Sequence, residues 1–439
     1  MKNRSYQVVF FLIILNSSSI FANSEELSLE LALQEAKTGS FKIEKAQAQL
    51  NESQWKRIES YSVHYPTLTL SGSYIPQHKY LLTDVNLGSG EKSIPAIIPT
   101  TQYNLIAQFP IFNGLRGTYQ SLAGKSNEEA SSKELQWTQF LVEREVRLQF
   151  YRALASKQLQ EVAEVNLKTL KDHLSNVEKF KSAGISTNYD LLRVEVQVSE
   201  AQSEAFNAKD NAEISKNRLG ELLGRESEVR ELKGELPILT VDLVDESKLK
   251  NNSTNERTDL QALLSRVEAA DYLRKSKQSF WSPQVNLYSQ YQSYNNKSDD
   301  FSKAADFRNA YQVGINFTWI LFEGFGGYAQ YHQAIEQKVQ AELNLKSLQV
   351  HAKQDFEMWR RKFLYFCSVY KSRESDILKT TESVRLAAEA HKVGSRTNTE
   401  LLDAESELFR AKASLVNSKL GAIEALINLE LVTGKSLFK

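Results

Sequence analysis

The side chains that carry most enzyme chemistry are present, but not at spacings that let them act together. The six histidines, His64, His78, His173, His332, His351 and His391, are scattered with no metal-ligand spacing. No H-E-x-x-H, no G-x-S-x-G and no phosphate loop with its Lys-Ser/Thr occurs. The glycines of "GFGG" at Gly324–Gly327 lack the remaining spacing and the acidic partner of a dinucleotide site. They suit a corner where a strand becomes a helix. The single cysteine, Cys367, has no partner for an internal disulfide and reads as a buried thiol. The expectation is no enzyme, no cofactor and no metal.

What remains is a group of small and charged residues that occurs twice. "GISTNYDLLRVEVQVSEAQSEA" begins at Gly184 and "GSRTNTELLDAESELFRAKASL" at Gly394, a shift of 394 − 184 = 210. They share Gly, Thr-Asn, Leu-Leu, Glu and Ala without a gap. Phe112-Asn113-Gly114 and Phe322-Glu323-Gly324 match at the same shift. The chain is a duplication, each half reading helix, strand, hairpin loop, strand, long helix, turn, long helix.

The elements that would position those residues follow from proline and periodicity. The seven prolines are Pro66, Pro76, Pro95, Pro99, Pro110, Pro237 and Pro283, so 111–236 and 284–439 have none. Such tracts, rich in Ala, Leu, Glu, Lys and Gln, predict very long helices, on the order of 100 Å at 1.5 Å per residue. Small and apolar residues recur at spacings of three and four from Leu191 to Leu222 and again from Leu401 to Val432. A shorter seam runs through Ala163, Leu167, Leu170, Leu174 and Val177. These are coiled-coil seams, and they predict two antiparallel helical hairpins turning near Gly184 and Gly394.

Four stretches change to period two. Leu68, Leu70, Gly72 and Tyr74 alternate with Thr and Ser; Tyr103, Leu105, Ala107, Phe109 and Ile111 share a face. Val285, Leu287 and Tyr291 oppose Gln284, Asn286, Gln290 and Gln292, and Val313, Ile315, Phe317 and Trp319 oppose Gln312, Gly314, Asn316 and Thr318. A half-buried soluble sheet or a membrane barrel with a wet lumen would both show this pattern. Polar surface loops are expected near 77–102 and 295–310.

Whole-chain properties narrow the choice. Lys+Arg and Asp+Glu are 54 each, so no basic excess points to nucleic acid. The start, with Lys2, Arg4 and an apolar run from Val8 to Leu15, reads as a secretory signal over 1–22. No later run is long enough for a helical span. Export and the polar second face favour the barrel. Two hairpins give only four strands, and open edges are not viable in lipid. The chain must oligomerise, and two, three or four copies would satisfy geometry alone.

The Phe-x-Gly corners, the paired G-x-x-T-x-x-[DE]-L-L turns and the doubled halves resemble the TolC-like outer membrane efflux proteins, over about residues 25–437. "KVGSRTNTELLDAESELFRAK" at Lys392–Lys412 is especially similar to the second helical turn of that family. The resemblance implies a mixed α and β fold: a homotrimer whose twelve strands close one outer-membrane barrel and whose twelve helices continue it as a periplasmic tunnel. It implies a passive exit duct fed by an inner-membrane transporter and a periplasmic adaptor (membrane fusion protein). On this division 66–112 and 283–322 are the barrel hairpins. The tunnel takes 23–65, 113–224, 256–282 and 323–433, with linkers at 225–255 and 434–439. Carried over by position, Tyr189 and Asp190 would face His391 and Arg396 as a periplasmic gate. Glu400 and Asp403 would line its acidic narrowing; a solvated coiled-coil face is the plainer role for them. Gly184, Ile185 and Ser186, with Val393, Gly394 and Ser395, would be the adaptor-docking turns. His391 and Glu400 stand where the family's best-known member has Tyr and Asp. A protonated His391 would pair with Asp190 and favour the closed state at mildly acidic pH. The rival reading is a soluble periplasmic coiled-coil adaptor or scaffold.

Overall fold

The computed structural model describes residues 26–75, 81–86, 91–96, 99–226, 228, 230–241, 257–297, 300 and 302–434. The expected signal at 1–22 and the linker beyond residue 241 lie outside the described residues. In chain order the elements are α1 (Leu29–Gly39), α2 (Phe41–Tyr61), β1 (Thr67–Tyr74), β2 (Leu81–Asn86), β3 (Glu91–Ala96) and β4 (Thr101–Phe112). Then come α3 (Arg116–Ser182), α4 (Asn188–Leu222), α5 (Thr258–Gln278), β5 (Gln284–Asn295), β6 (Phe307–Thr318), α6 (Gly326–Lys392) and α7 (Asn398–Thr433).

The duplication fixes these bounds. α3 and α6 each run for 67 residues and begin 326 − 116 = 210 positions apart. α4 and α7 also begin 398 − 188 = 210 apart. Each long helix starts from the same tight corner: Gly114 and Leu115, and Gly324 and Phe325, all have φ between 64° and 68°. Glycine takes that angle freely, whereas Leu115 and Phe325 do so at about 1–2 kcal/mol each. Packing holds the corners. Ser279 Oγ donates to the Gly114 carbonyl, and the Trp319 indole N–H donates to the Trp281 carbonyl at 3.0 Å.

The four long strands form one antiparallel sheet in the order β1-β4-β5-β6. Register turns the sequence alternation into two unlike faces. Leu70, Leu105, Tyr291 and Tyr311 make one row across all four strands. On the other face Thr69, Ile106, Gln290 and Gln312 align, and Gln312 Nε2 donates to Gln290 Oε1 at 2.6 Å. Two details differ from the expectation. The loop near 77–102 contains a separate ribbon, β2 paired with β3, whose β3 includes Pro95 and so lacked a strand signature. β6 ends at Thr318 rather than running on to Phe322, because Trp319 turns out of the ladder to bond Trp281.

Helix packing follows the predicted seams. α3 pairs with α4 and α6 with α7, while α5 packs on both α3 and α6. Leu167, Leu170, Leu174 and Val177 of α3 meet Leu191, Val194, Val198 and Ala201 of α4, joined by Leu402 of α7. Burying each large side chain stabilises by roughly 1.5–3 kcal/mol. In the second hairpin Val384, Ala387 and Ala388 meet Leu401 and Ala404. Further along, Phe150, Leu154, Leu219, Ile423 and Ile427 form the largest core. The described part of the linker is packed there: Leu232 and Leu236 enter that core, and Arg230 makes a two-pronged contact with Glu35 at 2.9 Å. Cys367 is buried, and burial pushes its thiol pKa up, as an inert thiol requires. Among the described residues no helix is long and apolar enough to cross a membrane.

Candidate functional site at the helix tips

Both hairpins reverse at a glycine with left-handed backbone, Gly184 at φ 75° and Gly394 at φ 73°. The turn satisfies carbonyls that the helix end would orphan. Ile185 N donates to Phe180 O at 2.8 Å, and Ser395 N donates to Ala390 O at 2.9 Å. A Cβ at either glycine would meet nothing within 4 Å, so the backbone angle alone calls for glycine. Ile185 and Val393 are 74% and 78% exposed, which makes the tips apolar and open. Ser186 Oγ turns inward to Asp190, and Ser395 Oγ to the Ala390 carbonyl.

The repeated Thr-x-x-acid spacing builds a capping box at each second helix. Thr187 Oγ1 accepts from the Asp190 N–H and Asp190 Oδ2 accepts from the Thr187 N–H, each at 3.1 Å. Thr397 and Glu400 repeat this at 3.3 Å and 2.9 Å. The Thr187 hydroxyl is the main reason the Asp190 carboxyl lies below the usual range. The Thr397 N–H does the same for Glu400. Both acids therefore have local work in their own helices, a role legible from the spacing but absent from the gate reading.

Tyr189, Arg396, Glu400 and Asp403 are exposed. His391, on the last turn of α6, is half-buried among rings, its centroid 6.2 Å from His173 and 6.1 Å from Phe180. Among the described residues no ion pair joins it to Asp190. Burial, and then the neighbouring His173, hold its pKa below the ordinary value, although Asp190 and Glu405 pull the other way. Burial and His173 thus disfavour the protonation of His391 that the expected His391–Asp190 link requires.

The contact that joins the hairpins involves residues the sequence reading did not single out. Buried His173 on α3 places Nδ1 3.0 Å from Glu405 Oε2 and Nε2 2.7 Å from Asn398 Oδ1, both on α7. Arg193 on α4 donates to Thr399 Oγ1 at 3.0 Å. With Leu402 in the first hairpin's seam, the opening turns of α7 are tied to α3 and α4 by apolar and polar contacts together. Burial works to lower the pKa of His173, but the hydrogen bond and charge of Glu405, with Asn398, outweigh it and raise it. Among the described residues no group of three or more His, Cys, Asp or Glu is placed to hold a metal ion.

The family model described as outer membrane efflux protein matches residues 32–225 and 249–435. No curated relative matches the sequence. Among solved structures the fold is similar to the outer membrane protein VceC from Vibrio cholerae, at 17% identity and TM-score 0.77, over 93% of this chain and 97% of that one. It is similar to the CmeC outer membrane channel of Campylobacter jejuni, at 15% identity and TM-score 0.75, over 92% and 85%. The open state of the MtrE outer membrane channel of Neisseria gonorrhoeae shows 17% identity and TM-score 0.70, over 93% and 89%. At these identities the likeness is one of fold, and the matched proteins are named as channels or membrane proteins rather than enzymes. The matched segments span both halves of the duplication, and the chain belongs to the outer membrane efflux protein family.

Proposed function

We propose that three copies of the chain close a single duct through the outer membrane and into the periplasm. The observation that carries the joining of copies is the four-stranded sheet with two open edges, β1 and β6, and the number three follows the family resemblance. Its apolar face is bare: Leu68, Leu70, Tyr311, Val313, Ile315 and Phe317 are each more than 60% exposed. Neither feature is tolerable in a lone chain. Unpaired edges are costly in lipid, and exposed Leu, Val and Phe are costly in water. Joining β6 of one copy to β1 of the next removes the edges, turns the apolar rows to lipid and leaves the Gln-rich face on a wet lumen. Three such sheets give a twelve-stranded barrel, within the size range of outer-membrane barrels. Trp281, Trp319, Phe322 and Phe325, all exposed at the corners, then sit at the interface where aromatic residues anchor.

On this reading 66–112 and 283–322 supply the barrel, and the long helices supply the tunnel. Substrate passes down its own gradient after delivery by an inner-membrane transporter and a periplasmic adaptor. The adaptor docks on the turns at Gly184–Ser186 and Val393–Ser395. Tyr189, Asp190, His391, Arg396, Glu400 and Asp403 surround the periplasmic entrance, and Asp403 lies outside the Thr397–Glu400 capping box. The family match gives the rival adaptor reading no support. Purified protein added to planar lipid bilayers should produce discrete conductance steps. A protein recovered wholly in the aqueous periplasmic fraction, with no conductance, would sink the proposal.

A further inference from the structure

We propose that His173 and His391 form a two-sided pH lock at the helix tips, which grips the start of α7 most firmly when His173 carries a proton and His391 does not. The proposal rests on the duct reading for its consequence at the gate, but not for the lock itself.

Geometry favours different protonation states for the two rings. Both nitrogens of His173 face acceptors, Glu405 Oε2 and Asn398 Oδ1, and only an imidazolium donates from both. A neutral ring would give up the ion pair with Glu405. With the Asn398 amide turned, its Nδ2, which has no partner where it now lies, would donate to Nε2 of a neutral ring, so the ion pair with Glu405 is what the proton supplies. His391 is placed differently. Its contacts are the rings of His173 and Phe180, so a proton there sets a second cation against the first. The groups acting on the pair are Glu405 and Asn398 from α7 and Asp190 from α4. Asp190 is already bound into its cap, and Arg193 is held by Thr399.

The sign of each limb follows from the direction of each shift. His173 is raised, so its contribution is complete below about pH 6.5 and lost as pH climbs through the raised value. His391 is lowered, so its contribution is complete above about pH 6.5 and lost as pH falls through the depressed value. The two losses fall on opposite sides of about pH 6.5. The grip peaks near pH 6.5 and loosens on either side.

The test is a distance measured in the full-length protein in detergent. Spin labels go on Asp172→Cys and Glu407→Cys in a Cys367→Ser background, with labelled chains diluted in unlabelled ones, between about pH 4.5 and 9. The distribution should be narrowest near pH 6.5 and broaden in both directions. His173→Gln should abolish the alkaline broadening and His391→Gln the acid broadening. If His173→Gln does not fold, Glu405→Gln must lose the alkaline limb instead. A width constant with pH, or one that changes alike in wild type and both variants, overturns the lock. Conductance of the same proteins tests the duct separately. A minimum near the same pH supports coupling of the lock to the gate. A protein that never conducts while its distances follow pH defeats the duct reading and leaves the lock standing.

Discussion

Arg147 on α3 and Glu430 on α7 meet at 2.7 Å, with the Glu430 side chain only 2% exposed. The first half of the chain thus grips the second by charge well away from the tips. Arg144 adds a hydrogen bond to Asn428 at 2.6 Å and Arg152 an ion pair to Glu424 at 2.6 Å. Removing one partner strips a buried carboxylate of its guanidinium, whereas removing both leaves a space that apolar side chains can fill. Arg147→Met should destabilise by roughly 3–5 kcal/mol, and the double variant Arg147→Met with Glu430→Leu by clearly less. Denaturant unfolding of the four proteins of this cycle measures both. A double-variant loss equal to the sum of the two single losses would mean the pair is not coupled.

The capping boxes predict a second, pH-dependent loss. Thr187→Ala removes the hydroxyl that accepts the Asp190 N–H and should cost about 1 kcal/mol. Because Asp190 is held low, its contribution is present above its unfolded value, about 3.9, and fades as pH falls through the depressed value. The gap between wild type and Thr187→Ala should therefore be wider at pH 7 than in acid below the depressed value, where only the bond from the Asp190 N–H to the hydroxyl remains. A gap of the same size at both pH values would show that the carboxylate has no part in the cap.

Leu402 belongs to α7 yet packs in the seam of the first hairpin. Leu402→Ala should cost about 2–5 kcal/mol and loosen the tip contact beyond what the same change does on the hairpin's outer face. Hydrogen exchange over 398–405 reads this directly. Unchanged protection there would separate Leu402 from the tie.

Much of this was readable from residue order. Long helices follow from the absence of proline over 111–236 and 284–439. The seams follow from three-four spacing, and the sheet faces from the alternation around Leu70, Leu105 and Tyr291. The site was less legible. His173 and Glu405 are 232 residues apart, and their meeting depends on how α3 lies against α7, which periodicity within either helix does not encode. Asp190 and Glu400 carried two meanings at once, and the Thr three residues earlier decides for the cap. The ribbon of β2 and β3 was hidden because Pro95 sits within β3, where no strand signature survives.

Gly184 and Gly394 separate turn geometry from docking. Since a Cβ at either would meet nothing within 4 Å, Gly394→Ala should cost only the left-handed backbone penalty of about 1–2 kcal/mol. Gly184→Trp and Gly394→Trp should leave the assembled protein intact while abolishing cross-linking to the adaptor. Cross-linking that survives both would count against a docking site at the tips.

A cross-linking measurement tests whether copies join through β1 and β6. Cysteine pairs, one on β1 (67–74) and one on β6 (307–318), are scanned through the register in a Cys367→Ser protein expressed in its own membrane. Oxidation at the matching register should give a ladder of covalent products that stops at three chains. A ladder that closes at two or four chains, or a membrane protein that never cross-links at any register, would contradict the trimeric duct.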